Sequence, residues 1–182
     1  MSNLLWVEKF RPDSIEDCVF PVEIKKGFQN IVDTGEVPNL LLTGTSGIGK
    51  TTVAKALCNQ LGCDWLMING SNEGRMIDTL RTTITNYAST VSFSGGKKII
   101  IIDEADYMNK ESVQPAMRGL IEEFSNNCRF FFTCNYKNKI LPSLHSRCSV
   151  IDFKINREDK PELAKKFSNI AMKILDGEGV TY

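Results

Sequence analysis

The sequence lacks the features that mark several broad classes of protein. It has a single histidine, His145, and its six cysteines include no C-x-x-C pair. A zinc ribbon and a disulfide framework are therefore not expected, and the cysteines are predicted to be free thiols in a reducing compartment. Lysine plus arginine and aspartate plus glutamate both number 22, so the formal net charge is zero. This balance argues against a protein that binds nucleic acid through overall basic charge.

Long apolar runs are also missing. No stretch of about 18 apolar residues occurs, and the N-terminus has no signal-peptide pattern. We therefore expect a soluble, cytoplasmic protein without a membrane partner. The length of 182 residues and the hydrophobic content of 42% suit one domain with an ordinary core, or one domain plus part of a second.

The most informative stretch has the spacing G-x-x-x-x-G-K-[ST]. It is preceded by an apolar segment, residues 39–43, and followed by helical spacing over residues 52–61. A strand, a glycine-rich loop and a helix in this order predict a phosphate cradle, because loop N–H groups and the helix dipole attract anions. The predicted nucleotide-binding residues are Gly44, Thr45, Ser46, Gly47, Ile48, Gly49, Lys50, Thr51 and Thr52. The alternative is a glycine-rich turn before an ordinary helix.

Within that loop, two side chains have separate expected tasks. Lys50 would reach the β- and γ-phosphates of a bound nucleotide, and the Thr51 hydroxyl would ligate Mg²⁺. The acidic pair Asp103-Glu104 follows the apolar run 99–102, which places it at the ligand edge of a parallel sheet. Asp103 would complete the Mg²⁺ site, and Glu104 would orient or deprotonate the attacking water. The alternative is a pair of solvated acids that cap the next helix.

Apolar runs alternate with helical patterns along the chain. They predict an α/β fold with a five-stranded parallel sheet flanked by helices. The predicted strands are 39–43, 65–69, 97–102, 129–134 and 149–153, with 65–69 expected to be buried and Lys97-Lys98 a solvated strand entry. Beyond about residue 155 the pattern is wholly helical. We therefore expect one domain over 1–155 and the incomplete beginning of a helical domain over 156–182.

Two further polar residues admit two interpretations each. Asn135 follows the fourth predicted strand, where an amide could reach the γ-phosphate or the water, or simply occupy a turn. Arg147 precedes the fifth strand. It is either a surface charge or an arginine finger that completes a neighbouring subunit's site.

Several separated stretches together resemble the AAA+ ATPase subunits of sliding-clamp loaders. They are residues 6–12, the glycine-rich loop and the acidic pair as Walker motifs, the sensor-like stretch 132–136, and Ser146-Arg147-Cys148. The arm at 6–12 is similar to that of replication factor C small subunits. After Asp17 the chain has Cys18-Val19-Phe20-Pro21, where cellular loaders typically have Gly-Asn or Gly-Gln, and this looks closest to the large loader subunit of T-even-like tailed phages.

The resemblance implies a P-loop NTPase (AAA+) fold whose helical end begins a lid domain. It also implies an ATPase, with ATP and Mg²⁺ as cofactors, that is active in a hetero-oligomeric ring or spiral with other loader subunits, a sliding clamp and primer–template DNA. By the same resemblance Glu104 and Asn135 act in catalysis within the chain, and Arg147 serves the adjacent subunit. Val7 and Arg11 would line the adenine pocket, while Gln114 and Arg118 would relay DNA or clamp contact to Glu104.

Two other functions stay open at this point. One is a different AAA+ ATPase that acts on DNA, such as a branch-migration helicase or an initiator. The other is an assembly protein that binds nucleotide with little turnover of its own. The intact Glu104 argues against the second, because sites that no longer hydrolyse nucleotide usually lose this carboxylate or the loop lysine.

Overall fold

One parallel sheet organises the chain in the computed structural model, which describes residues 5–72, 77–92 and 96–180 except for the side chains of Val7 and Thr79. Its strands are β1 (Leu40–Thr43), β2 (Trp65–Asn69), β3 (Lys98–Asp103), β4 (Cys128–Cys134) and β5 (Ser149–Asp152). Over the described residues these five strands lie in the order β2-β3-β4-β1-β5, and each neighbouring pair is parallel. The predicted five-stranded parallel sheet is therefore confirmed.

Helices connect the strands as the sequence pattern predicts. They are α1 (Trp6–Lys9), α2 (Val22–Thr34), α3 (Lys50–Gln60), α4 (Ile77–Ser89), α5 (Val113–Glu123), α6 (Pro142–His145) and α7 (Lys160–Gly177), with short 3₁₀ turns at Ala105–Tyr107 and Lys137–Lys139. Helix α5 begins at Val113, and before it the Asn109 side chain accepts hydrogen bonds from the N–H groups of Glu111 and Ser112. Within the described ranges, no helix has the length and apolar character needed to cross a bilayer.

The sheet is covered on both faces, which explains the uniformly apolar strands. Alternate residues of a strand point to opposite faces. Leu41 of β1 accordingly packs in the cluster that contains residues of α4 and α5, whereas Leu40 and Leu42 pack with residues of α2 and α3. Strand β3 repeats this division, with Ile100 and Ile102 on the first face and Ile99 and Ile101 on the second.

Two expectations about burial are wrong, and both errors have a physical cause. Strand β2 is not a buried strand: Trp65 and Met67 are 36% and 37% exposed, because β2 forms an edge of the sheet. Lys98 is not solvated, since only 4% of it is exposed. Its Nζ donates to the Tyr87 carbonyl at 2.8 Å, contacts the Thr90 hydroxyl and lies 4.7 Å from the centre of the Tyr87 ring.

Replacing Lys98 with methionine is expected to lower the free energy of unfolding by about 1–3 kcal/mol. Methionine keeps the buried apolar stem but leaves the Tyr87 carbonyl, near the end of α4, without its charged donor. Urea unfolding measures the difference. Lys97→Met is the matched control, because the neighbouring side chain is exposed. Equal stability of the two variants would contradict this role for Lys98.

The six cysteines are free thiols, of which four are buried and two are half-buried. Burial raises the pKa of Cys18 to about 11 and that of Cys148 to about 12. These thiols are therefore protonated near neutral pH, which agrees with packing residues rather than nucleophiles.

Candidate nucleotide-binding site

The carboxyl ends of β1, β3 and β4 bring three separately predicted segments to one cleft of about 240 Å³. The glycine-rich loop follows β1, the acidic pair follows β3 and Asn135 follows β4. Lining residues from these segments include Gly49, Lys50, Asp103, Glu104 and Asn135. The geometry thus assembles the predicted phosphate site at the sheet edge where parallel α/β proteins bind ligands.

Glycine is required in the loop for conformational reasons. Gly47 and Gly49 have φ angles of 75° and 95°, in the left-handed region that side chains disfavour. A Cβ on Gly49 would also lie 3.1 Å from the Phe20 ring. Thr45, Ser46 and Gly47 are exposed, and α3 begins directly after Gly49. The helix N-terminus therefore faces an open loop, an arrangement suited to an anion.

Lys50 is already directed into the cleft by three acceptors. Its Nζ donates to the carbonyls of Gly44 and Thr45 at 2.9 and 2.8 Å and to Oδ1 of Asn135 at 3.0 Å. Burial lowers the pKa of Lys50, while the carboxylates of Asp103 and Asp106 oppose that shift. The contact with Asn135 joins the loop lysine to the residue that the sequence singled out after β4.

Asp103 and Thr51 form the part of the site that suits a divalent cation. The Thr51 hydroxyl donates to Oδ1 of Asp103 at 2.6 Å, and the Thr133 hydroxyl donates to the same oxygen at 2.6 Å. A hydroxyl and a carboxylate are hard oxygen ligands, and Mg²⁺ is commonly held by few protein oxygens together with waters and substrate phosphates. The donor set therefore fits Mg²⁺.

Glu104 has an unusual backbone for a non-glycine residue. Its φ and ψ angles are 55° and 42°, in the left-handed region. Its N–H donates to the Thr133 hydroxyl at 3.1 Å, and its side chain is half-exposed at the cleft. Gly70 packs against this turn: its N–H donates to the Asp103 carbonyl at 2.7 Å, and a Cβ there would lie 2.7 Å from the Glu104 carbonyl oxygen.

Residues at the back of the site have contacts that the motifs do not predict. Asp106 is 6% exposed, and its Oδ2 accepts the Tyr136 N–H at 3.3 Å. Its Oδ1 has no hydrogen-bond partner within the described residues. Asp106 thereby ties the turn after β3 to the turn after β4. The only sequence signal for it is its place two residues beyond the acidic pair.

Gln114 and Arg118 occupy very different surroundings on α5. Gln114 is fully buried; its Nε2 donates to the carbonyls of Met108 and Lys139 at 3.1 and 3.0 Å, and its Oε1 accepts the Leu141 N–H at 2.8 Å. It therefore bridges the segments that follow β3 and β4. Arg118 is exposed.

Arg147 lies away from the phosphate cleft of its own chain and is not among the described residues that line it. Its guanidinium forms an ion pair with Glu122 near the end of α5 and donates to the Ser143 carbonyl at 2.8 Å. The hydrogen bond from Arg147 lowers the pKa of Glu122. The guanidinium is thus held on the surface of the domain.

An apolar cavity of about 550 Å³ adjoins the glycine-rich loop. Its walls come from the N-terminal arm, the loop and α7, and they include Phe10, Pro12, Phe20, Ile48 and Phe167. Its size and apolar lining suit a planar base. Arg11 is absent from the described lining; its Nη1 lies 3.5 Å from the Thr52 hydroxyl and its other nitrogens bond Glu8. The side chain of Val7 is outside the described part of the chain.

Comparison with known proteins gives concordant matches. The chain is 39% identical to the sliding-clamp-loader large subunit of Enterobacteria phage T4 over 175 residues, covering 95% of this chain and 54% of that protein. It is 37% identical to the replication factor C small subunit of Methanococcus maripaludis strain C6, covering 96% and 57%. The resemblance inferred from the motifs is therefore confirmed, although the chain spans only about half the length of these relatives.

Solved structures support the fold. The Thermotoga maritima RuvB Holliday junction branch migration motor matches with a TM-score of 0.66 at 19% identity, covering 88% of this chain and 54% of that one. A model of the ATPase family associated with various cellular activities (AAA) matches residues 40–156, which include the glycine-rich loop, the acidic pair, Asn135 and Arg147. The chain therefore belongs to the AAA family of ATPases.

Proposed function

We propose that this chain is an ATPase subunit of a DNA polymerase clamp loader. In this function, ATP binding and hydrolysis drive the opening of a sliding clamp and its loading onto primer–template DNA during replication. The observation that carries the proposal is the 39% identity with the T4 sliding-clamp-loader large subunit across 95% of the chain. The assembled cleft supports it, since the loop lysine, the Thr51–Asp103 pair, Glu104 and Asn135 lie together there.

Each residue of the cleft has a role in this proposal. The loop from Gly44 to Thr52 binds the phosphates, with Lys50 on the β- and γ-phosphates. Thr51 and Asp103 hold Mg²⁺, which neutralises phosphate charge when bound. Glu104 orients and deprotonates the attacking water, because a carboxylate at the cleft can accept its proton. Asn135, already in contact with Lys50, contacts the γ-phosphate.

The adenine base occupies the apolar cavity beside the loop. Phe10 and Pro12, on either side of Arg11, provide its N-terminal wall. Arg11 lies between them, with its guanidinium near the Thr52 hydroxyl of α3. Residues 156–182 begin a helical lid domain after the ATP-binding domain of residues 1–155, and α7 supplies the opposite wall of the cavity.

Arg147 acts on a neighbouring subunit in this proposal. The guanidinium lies at the domain surface, apart from its own cleft, and positive charge next to a transferring phosphoryl group stabilises the transition state. Partners are therefore the other loader subunits in a hetero-oligomeric ring or spiral, together with the clamp and primer–template DNA. The assembly works in the cytoplasm, which is the host's if the protein is encoded by a phage.

The proposal predicts that hydrolysis depends on the replication partners. Steady-state ATP hydrolysis is measured for the chain alone and after reconstitution with the other loader subunits and clamp of the same replication system, with and without primed DNA. The loader function predicts stimulation by primed DNA in the complete assembly only. Hydrolysis that ignores clamp and DNA would identify another AAA+ ATPase. Nucleotide binding without turnover in any mixture would identify an assembly protein.

A further inference from the structure

A continuous chain of hydrogen bonds links the residues proposed to hold Mg²⁺ with the residue proposed to activate water. It runs from the Thr51 hydroxyl to Oδ1 of Asp103, from the Thr133 hydroxyl to the same oxygen, and from the Glu104 N–H to the Thr133 hydroxyl. Thr133 is the central member, and it is 2% exposed. The only proton of its hydroxyl and one of the two lone pairs are therefore committed to these partners.

We propose that Thr133 is a positioning residue that sets Asp103 for the metal and Glu104 for the water at the same time. This role rests on the proposed ATPase function. The sheet register places Thr133 there: Phe132 of β4 pairs with Ile102 of β3, so the next residue of β4 lies beside Asp103. Phe132 and Cys134 pack in the core cluster on the α4 and α5 face. Their side chains therefore cannot serve this purpose.

The two hydrogen bonds of Thr133 have different consequences. The bond to Asp103 makes Oδ1 the shared acceptor of Thr51 and Thr133, which restricts the carboxylate rotamer. With its proton directed to Asp103, the Thr51 oxygen keeps its lone pairs for a cation. In the second bond, the Thr133 hydroxyl accepts the N–H of Glu104, whose backbone is in the left-handed region. Without this bond, that turn loses one of the hydrogen bonds that hold Glu104 in place, beside the bond from the Gly70 N–H to the Asp103 carbonyl.

The test compares Thr133→Val, which keeps the shape but removes the hydroxyl, with Thr133→Ser, which keeps the hydroxyl. The first readout is equilibrium binding of a fluorescent ADP analogue as a function of Mg²⁺ concentration; the second is kcat in the reconstituted assembly. The valine variant should need about tenfold more Mg²⁺ for half-maximal binding, as expected for the loss of a hydrogen bond to a charged group. It should also lower kcat while leaving binding in EDTA unchanged, whereas the serine variant should behave like the unaltered chain.

Other outcomes overturn the role in distinguishable ways. Unchanged Mg²⁺ dependence and kcat in the valine variant would remove Thr133 from the site. A serine variant as impaired as the valine variant would assign the effect to packing of the methyl group. If urea unfolding shows that the valine variant does not fold, Thr133→Ala replaces it with the same expectations. Failure of the loader function is seen separately, because Mg²⁺-dependent nucleotide binding requires neither clamp nor DNA.

Discussion

Replacing Arg147 with alanine is expected to lower ATP hydrolysis at the neighbouring subunit's site by about 10³–10⁵-fold, the contribution of an arginine finger in such enzymes. Nucleotide binding by the altered chain itself should not change, because Arg147 lies outside its own cleft. The loss should appear in the rate rather than in affinity, since an arginine finger stabilises charge that develops during transfer.

Mixed assemblies provide the sharpest measurement of this effect. An Arg147→Ala chain keeps its own cleft, and a Lys50→Ala chain keeps Arg147 but loses the lysine that we propose binds phosphate. An assembly of either variant by itself should hydrolyse little ATP. In the mixture, hydrolysis should be restored only where Arg147 of a Lys50→Ala chain faces the intact cleft of an Arg147→Ala chain. Arg157→Ala, which removes an exposed arginine from the start of the helical segment, is the control. Full activity in an assembly in which every copy of this chain carries Arg147→Ala would exclude the finger role.

Replacing Glu104 with glutamine is expected to lower kcat by about 10²–10⁴-fold, the usual contribution of a general base. The amide has nearly the shape of the carboxylate but cannot accept the proton of water. The backbone N–H that donates to Thr133 is untouched, so the turn should keep its geometry. Nucleotide affinity should stay close to that of the unaltered chain, because Lys50, Thr51 and Asp103 remain.

Single-turnover hydrolysis separates this loss from any change in product release, and a fluorescent nucleotide reports affinity on the same sample. Glu111→Gln is the matched control, since it makes the same exchange at an exposed position beyond the 3₁₀ turn. An unchanged single-turnover rate in Glu104→Gln would assign water activation to another group. A large loss of affinity would instead indicate that Glu104 serves in binding.

The parts of the site that could be predicted from sequence are those set by local backbone requirements. The spacing of Gly44, Gly49 and Lys50 determines the loop because the left-handed φ angles and the helix start are local properties. The acidic pair could be predicted for the same reason, because it directly follows an apolar strand. These segments then meet because parallel strands end at one edge of the sheet.

Features that depend on which elements lie side by side in the fold could not be predicted from the sequence. The sequence of β2 is apolar enough for a buried strand, and its exposure follows only from its position at the edge. From sequence, Lys98 is a charged residue at the start of a strand and is expected to be solvated. Its burial depends on α4, which places the Tyr87 carbonyl within hydrogen-bond distance. Thr133 follows three phenylalanines in β4, and its importance appears only once β3 and β4 are in register.

The left-handed backbone at Glu104 lowers the stability of the fold at a position that we propose is needed for activity. A non-glycine residue in that region typically costs about 1–2 kcal/mol relative to glycine, and asparagine tolerates it better than glutamate. Glycine or asparagine would therefore relax the backbone while removing the carboxylate that we propose acts on water. On the proposed function, glutamate at position 104 is retained for hydrolysis at a cost in stability, as in the trade-off between stability and activity at strained active sites.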